Sequence, residues 1–134
     1  MSTTPPVLCY HRVGGPIELG VTRVGRGVFE RQMTALARAG WRTLPMDEFA
    51  ASLAALPASR SPLPDKAVLL TFDDGYADLA CHAYPVLADL GLTATTFLIT
   101  GSVGRENTWD ARYTWRRLRH LDWWTIEAWG ARGF

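Results

Sequence analysis

Two adjacent aspartates, Asp73 and Asp74, followed by Gly75, are the strongest chemical signal in this 134-residue chain. They stand directly after Lys66–Phe72 (KAVLLTF), a nearly continuous apolar and β-branched run of the kind that forms a central parallel strand covered on both faces. Parallel α/β sheets and barrels present their functional loops at the carboxyl ends of strands, so the pair stands where such folds do chemistry. Neighbouring residues on an extended segment point in different directions, which allows one carboxylate to hold a metal and the other to face a water. Gly75 lets the backbone turn sharply behind them.

Taken alone, the pair fits more than one reading. Asp-Gly favours the positive φ of a hairpin turn, although the residues that follow have helical and not alternating periodicity. A dehalogenase-type phosphatase or a receiver domain also places an aspartate at a strand end, but the first wants Asp-x-Asp. His11 lies in Val7–Val13 (VLCYHRV), a strand candidate between Pro5-Pro6 and Gly14-Gly15-Pro16. A lone histidine beside an apolar strand is as readily a hydrogen-bonded structural residue as a catalytic one. His82 and His120 read as surface or packing residues, and no two of the three histidines have the local spacing of metal ligands. Cys9 and Cys81 form no CxxC, which excludes a disulfide scaffold and a zinc knuckle, and they read as buried thiols.

Several elements must position these groups. Phe29, Met33, Leu36 and Ala37 fall at helical spacing, and Gly40 can end that helix in the left-handed conformation. Trp41–Leu44 is a strand candidate, and Asp47 can cap a second helix carrying Phe49, Leu53 and Leu56. Pro57–Pro64 reads as linker. Beyond Gly75, Leu79, Ala83, Val86, Leu87 and Leu90 mark a helix restarted at Pro85 and ended by Gly91. Leu92–Thr100 reads as a strand and Leu118–Gly133 as a helix with Leu121, Trp124, Ile126 and Trp129 as its large apolar residues. Strands alternate with helices, the pattern of parallel βα units in an α/β domain.

The composition suits one globular domain: 48% hydrophobic, 20% charged, and a net charge of +1. That balance argues against a nucleic-acid arm. Arg112, Arg116, Arg117 and Arg119 interleave with Trp109 and Trp115 and are flanked by Asp110 and Asp122, which reads as a solvated face or a sugar-binding rim. Trp124 and Trp129 are expected to pack in the core. The N-terminus lacks the basic start and apolar run of a signal peptide, and no stretch approaches the ~20 apolar residues of a membrane span, so the expectation is a cytoplasmic product.

With its surroundings the aspartate pair becomes specific. LLTFDDGYAD, followed by HAYPVLADLGLTATTFLITGSVG, resembles the polysaccharide deacetylases of the NodB-homology type, carbohydrate esterase family four. VLCYHRV, FERQMTALARAGWRTLPMDEF and LDWWTIEAWGARG resemble the same family in the same order, so that the likeness runs from Val7 to Phe134. It implies the N-terminal part of a distorted (β/α) barrel and a metal-dependent hydrolase that deacetylates an N-acetylated polysaccharide or glycoconjugate. It also implies Asp73 as general base, Asp74 as ligand of a divalent metal, zinc in first place, and His11 at the mouth of the site as candidate general acid.

The family's two further metal ligands, histidines in an HSxxH or HTxxH motif, do not occur in these 134 residues. The expectation is therefore a partial deacetylase domain over residues 1–134, cut before that motif, unable to hold the metal stably and inactive alone. An uncovered barrel edge after Leu92–Thr100 carries the expectation of self-association. The alternative from another class is a non-catalytic remnant or pseudoenzyme that serves as a sugar- or partner-binding module.

Overall fold

The computed structural model describes residues 4–15, 22–54, 65–108 and 117–134. At its centre is β5 (Ala67–Phe72), in which all six residues are buried. A strand buried on both faces needs apolar side chains at every position, and AVLLTF provides them with Thr71 as the one hydroxyl. β1 (Val7–Tyr10) pairs with β5 in parallel, Val7 opposite Leu69 and Tyr10 opposite Phe72. The other side of β5 is shared. β4 (Arg42–Thr43) pairs with Ala67 and Val68, and β6 (Thr95–Thr96) with Thr71 and Phe72, both in parallel.

The first strand is interrupted at His11. The Asp73 amide donates to the Tyr10 carbonyl as the last rung to β5, and the chain then changes partner: β2 (Arg12–Val13) pairs with β3 (Arg23–Val24). The other strands also differ from the sequence expectation in length. Trp41–Leu44 contributes only β4. Leu92–Thr100 contributes only β6, because the Phe97 amide already bonds to the carbonyl of Phe72, where β5 ends, and the chain turns into a short 3₁₀ segment at Thr100–Ser102.

Helix α1 (Arg26–Arg38) buries Phe29 and Met33 and closes at Gly40, with φ +77. The Gly40 amide donates to Ala37 and the Trp41 amide to Leu36, the bond pair of a left-handed C-terminal cap. α3 (Asp78–His82) and α4 (Tyr84–Asp89) are separated at Ala83, just before Pro85, and the same bond pair recurs at Gly91. α2 (Met46–Ala54) begins one residue before Asp47, so Asp47 stands in its first turn and not at its cap. Leu53 is exposed and Ser52 takes the buried position, its hydroxyl donating to the Phe49 carbonyl; Leu56 and the Pro57–Pro64 segment lie outside the described residues.

The core gathers Val13, Phe29, Met33, Leu70, Phe72, Leu79, Tyr84 and Leu87. Its aromatic rings meet edge to face or tilted, Tyr10 against Phe29 at 5.2 Å and Phe72 against Tyr84 at 5.9 Å. Burial pushes the Tyr84 phenol up to about 12, with its bond to Thr96 opposing the rise.

α5 (Trp123–Gly130) starts later than the expected Leu118, because Arg119 and His120 form single β-bridges to Glu106 and Tyr76. Asp122 caps it, accepting from the Thr125 amide at 2.8 Å. Trp129 packs against Tyr84 and Phe134 as expected, but Trp124 is 78% exposed. Ile126 and Trp129, three residues apart, form the inward face, which leaves Trp124 pointing away. Both cysteines are exposed and not buried: Cys9 alternates outward on β1, and Cys81 lies on the open side of α3. Trp109, Arg112, Trp115 and Arg116 lie outside the described residues, while Arg117 is exposed and 3.6 Å from Glu106. No described helix is long and apolar enough to cross a membrane.

Among the described residues, an arginine is buried against the core. Arg12 is 2% exposed, its Nε donates to Asp78 at 2.9 Å, and its guanidinium stands 5.5 Å from the Tyr76 ring centre. Arg12→Ala removes a buried guanidinium together with its ion pair to Asp78 and its stacking on Tyr76, and is expected to cost about 3 kcal/mol or more. Arg42 makes an equally short bond to Glu48 at the exposed surface, and Arg42→Ala is expected to cost less than about 1 kcal/mol. Urea unfolding of the two variants checks the contrast, and equal losses would contradict it.

Candidate functional site

Strand alternation and parallel register bring the site together. Tyr10 stands opposite Phe72, so the next residues on each chain, His11 and Asp73, are neighbours across the end of the ladder. Cys9, two residues before His11, shares its face. Asp73 Oδ2 lies 3.8 Å from His11 Nε2 and accepts from the Cys9 thiol at 3.5 Å. The Asp73 and His11 side chains are 39% and 35% exposed, so this carboxylate–imidazole pair is open to solvent and to a ligand. Desolvation lifts the Cys9 thiol above its ordinary value; the Asp73 and Asp74 carboxylates add to the rise, and a bond with Thr71 opposes it.

Asp74 follows with φ +70, and it is the one non-glycine residue among those described in the left-handed region. Gly75 continues at φ +66, and a Cβ there would stand 2.6 Å from Leu98 Cδ2. The Asp-Gly pair thus adopts positive φ, as in a hairpin turn, but it leads into α3 and not into a returning strand. Two bonds fix the turn from the far side of the chain. The Gly75 carbonyl accepts from the Leu121 amide at 2.9 Å, and the Asp74 carbonyl accepts from His120 Nδ1 at 2.8 Å.

His120 is a buried packing residue, as expected, with a contact the sequence did not announce. Its ring stacks on Tyr76 at 4.9 Å, and Nε2 is buried without a partner. A continuous series runs from Asp78 through Arg12, Tyr76 and His120 to the backbone of Asp74. His82 also packs, its ring filling the space a side chain at Gly14 would need.

The structure brings His11 and Asp73 together and adds Cys9, which sequence reasoning missed. The signal was available, since position i−2 on a strand faces the same way as position i. Asp74 is not a member of the one grouping of three His, Cys, Asp or Glu donors found among the described residues, which is Cys9, His11 and Asp73. With His120 tied to the backbone and His82 packed against Gly14, the described residues do not assemble two histidines around Asp74.

A family model described as polysaccharide deacetylase matches residues 60–129. YxkH of Bacillus subtilis strain 168 is 39% identical over 103 residues, which is 76% of this chain and 34% of that protein. The poly-beta-1,6-N-acetyl-D-glucosamine N-deacetylase of Staphylococcus aureus is 32% identical over 84 residues, 63% of this chain and 27% of that one. The chain thus spans about a third or less of the length of these curated relatives. Among solved structures, IcaB from Ammonifex degensii superposes with a TM-score of 0.76 at 32% identity, covering 96% of this chain and 48% of that one. The Streptococcus pyogenes deacetylase PplD has the same fold, with a TM-score of 0.78 at 23% identity over 99% of this chain and 54% of its own.

The turn at Gly75 allows a direct measurement. Gly91 has the same left-handed backbone, φ +67, with nothing within 4 Å of an added Cβ, whereas Gly75 faces Leu98. Gly91→Ala should therefore cost only the conformational penalty, about 1–2 kcal/mol. Gly75→Ala should cost more, because Leu98 must also move. Denaturant midpoints that rank the two in the opposite order would refute this account of the turn.

Proposed function

The chain belongs to the polysaccharide deacetylase family, and from that premise we propose that it furnishes the Asp73, Asp74 and His11 side of a site that hydrolyses the acetamide of N-acetylated polysaccharides or glycoconjugates. The observation that carries this reading is the pairing of Asp73 with His11 across the end of the β1–β5 ladder, open to solvent. Hydrolysis of an acetamide needs a base that takes a proton from the attacking water and an acid that gives one to the departing amine, leaving acetate and a free amino sugar. Asp73, whose carboxylate oxygens accept and do not donate, suits the first task. His11 suits the second, and its imidazole lies close enough to the carboxylate for both to reach one reacting amide.

The metal that the family resemblance implies, zinc in first place, would supply positive charge to the carbonyl oxygen. Asp74 is the donor this chain offers it. A catalytic zinc site takes three protein ligands, and the donors described around Asp74 do not make up that number, so no step is assigned to the metal here. The same observation favours a second reading, a non-catalytic module that binds a sugar or a partner without releasing acetate.

Acetate release from N-acetylated glucosamine oligomers separates these readings. The 134-residue polypeptide is expected to release none with added zinc, while its fusion to the complementary segment of a relative's domain is expected to be active. In that fusion Asp73→Asn and His11→Ala should each lower turnover by something on the order of 10²–10⁴-fold while the metal assigned to Asp74 is retained. Zinc-dependent release by the polypeptide alone would overturn the inactivity. Unchanged turnover in either variant would return that residue to a structural role.

The β6 edge bears no further strand among the described residues, and Phe97 beside it is half exposed. Self-association through this edge is the expected behaviour. Sedimentation of a concentration-independent monomer would contradict it.

A further inference from the structure

Cys9 has no part in the proton transfers above, yet its thiol is directed at Asp73. We propose that Cys9, His11 and Asp73 form a binding site for a thiophilic divalent cation of the zinc class, held by thiolate, imidazole and carboxylate with water in the fourth position. All three ligand atoms lie within 4.8 Å of one another. In a tetrahedral zinc site with bonds of about 2.0–2.3 Å, ligand atoms stand about 3.3–3.8 Å apart. The separations of 3.5 Å from sulfur to carboxylate oxygen and 3.8 Å from imidazole nitrogen to the same oxygen already match that spacing.

The backbone fixes this arrangement before any ion arrives. Cys9 belongs to β1, Asp73 takes the last rung to Tyr10, and His11 lies between them, so the ladder and not a mobile loop sets their spacing. The donor set is borderline-soft, which favours zinc over magnesium or calcium. On binding, the Cys9 thiol releases its proton to solvent as the sulfur–metal bond forms. Asp74 is not a ligand, which distinguishes this site from the one the family resemblance implies. The site belongs to this chain and does not depend on the deacetylase reading; where that reading holds, an ion bound here inhibits, because it withdraws Asp73 and His11 from proton transfer.

Alkylation of the native chain tests it, with both cysteines read by mass spectrometry and Cys81, exposed on α3, as the internal control. Stoichiometric zinc is expected to slow labelling of Cys9 by about tenfold or more and to leave Cys81 unchanged, since a metal-held thiolate is a shielded nucleophile. Cobalt should produce a sulfur-to-metal charge-transfer band that survives Cys81→Ser and Asp74→Asn and is lost in Cys9→Ser. Equal labelling of Cys9 with and without zinc would overturn the site. So would protection that persists when His11→Ala and Asp73→Asn are combined, or a cobalt band that disappears in Asp74→Asn.

Discussion

The parallel pairing of β1 with β5 is the constraint on which the other features depend. β5 is buried at every residue and has to be covered on both faces and both edges, so its neighbours are drawn to it by the removal of apolar surface from water. Once β1 lies along one edge in its observed register, the residue after Tyr10 and the residue after Phe72 have no freedom to be elsewhere. A slip of one position would turn Cys9 and His11 to the opposite face and separate them from Asp73. The chemistry is therefore held by packing that contains no chemical group of its own.

A second layer of control acts on the backbone. A non-glycine residue in the left-handed region carries a penalty of roughly 1–2 kcal/mol, and such strain persists only where the surroundings over-determine it. At Asp74 the surroundings are two bonds from the segment 120–121, and His120 is itself wedged by Tyr76 and, behind it, Arg12. A buried arginine thus bears on the direction of the turn through the aromatic faces of Tyr76 and His120.

Much of this could be read from residue order. β5, the caps at Gly40 and Gly91 and the break before Pro85 were legible because each rests on a local rule: continuous apolar character, left-handed glycine, a missing amide. The short strands were not. Leu92–Thr100 has strand-like residues throughout, but strand length is decided by how much partner remains, and β5 ends at Phe72. That His11 and Asp73 both stand at strand ends was legible from residue order, whereas the series joining Arg12, Asp78 and His120 was not, since nothing local links positions 12, 78 and 120. Cys9 and Trp124 were misjudged for one reason. Residue type reports a mean tendency to be buried, while the face of the element decides the individual case.

The distance along the chain between β1 and β5 has a consequence for how the molecule is made. Val7 meets Leu69, so a ribosome that has released β1 must add about sixty residues before its partner exists. At roughly 5–20 residues per second, the first strand waits for some seconds. During that interval Val7–Tyr10 carries open edges, and α1 has no sheet on which to lay Phe29 and Met33. Contacts of such long range are slow to form, because loop closure must precede any gain from them. Birth of the site is thereby tied to the last residues of β5, and the nascent chain up to that point is a natural client for chaperones.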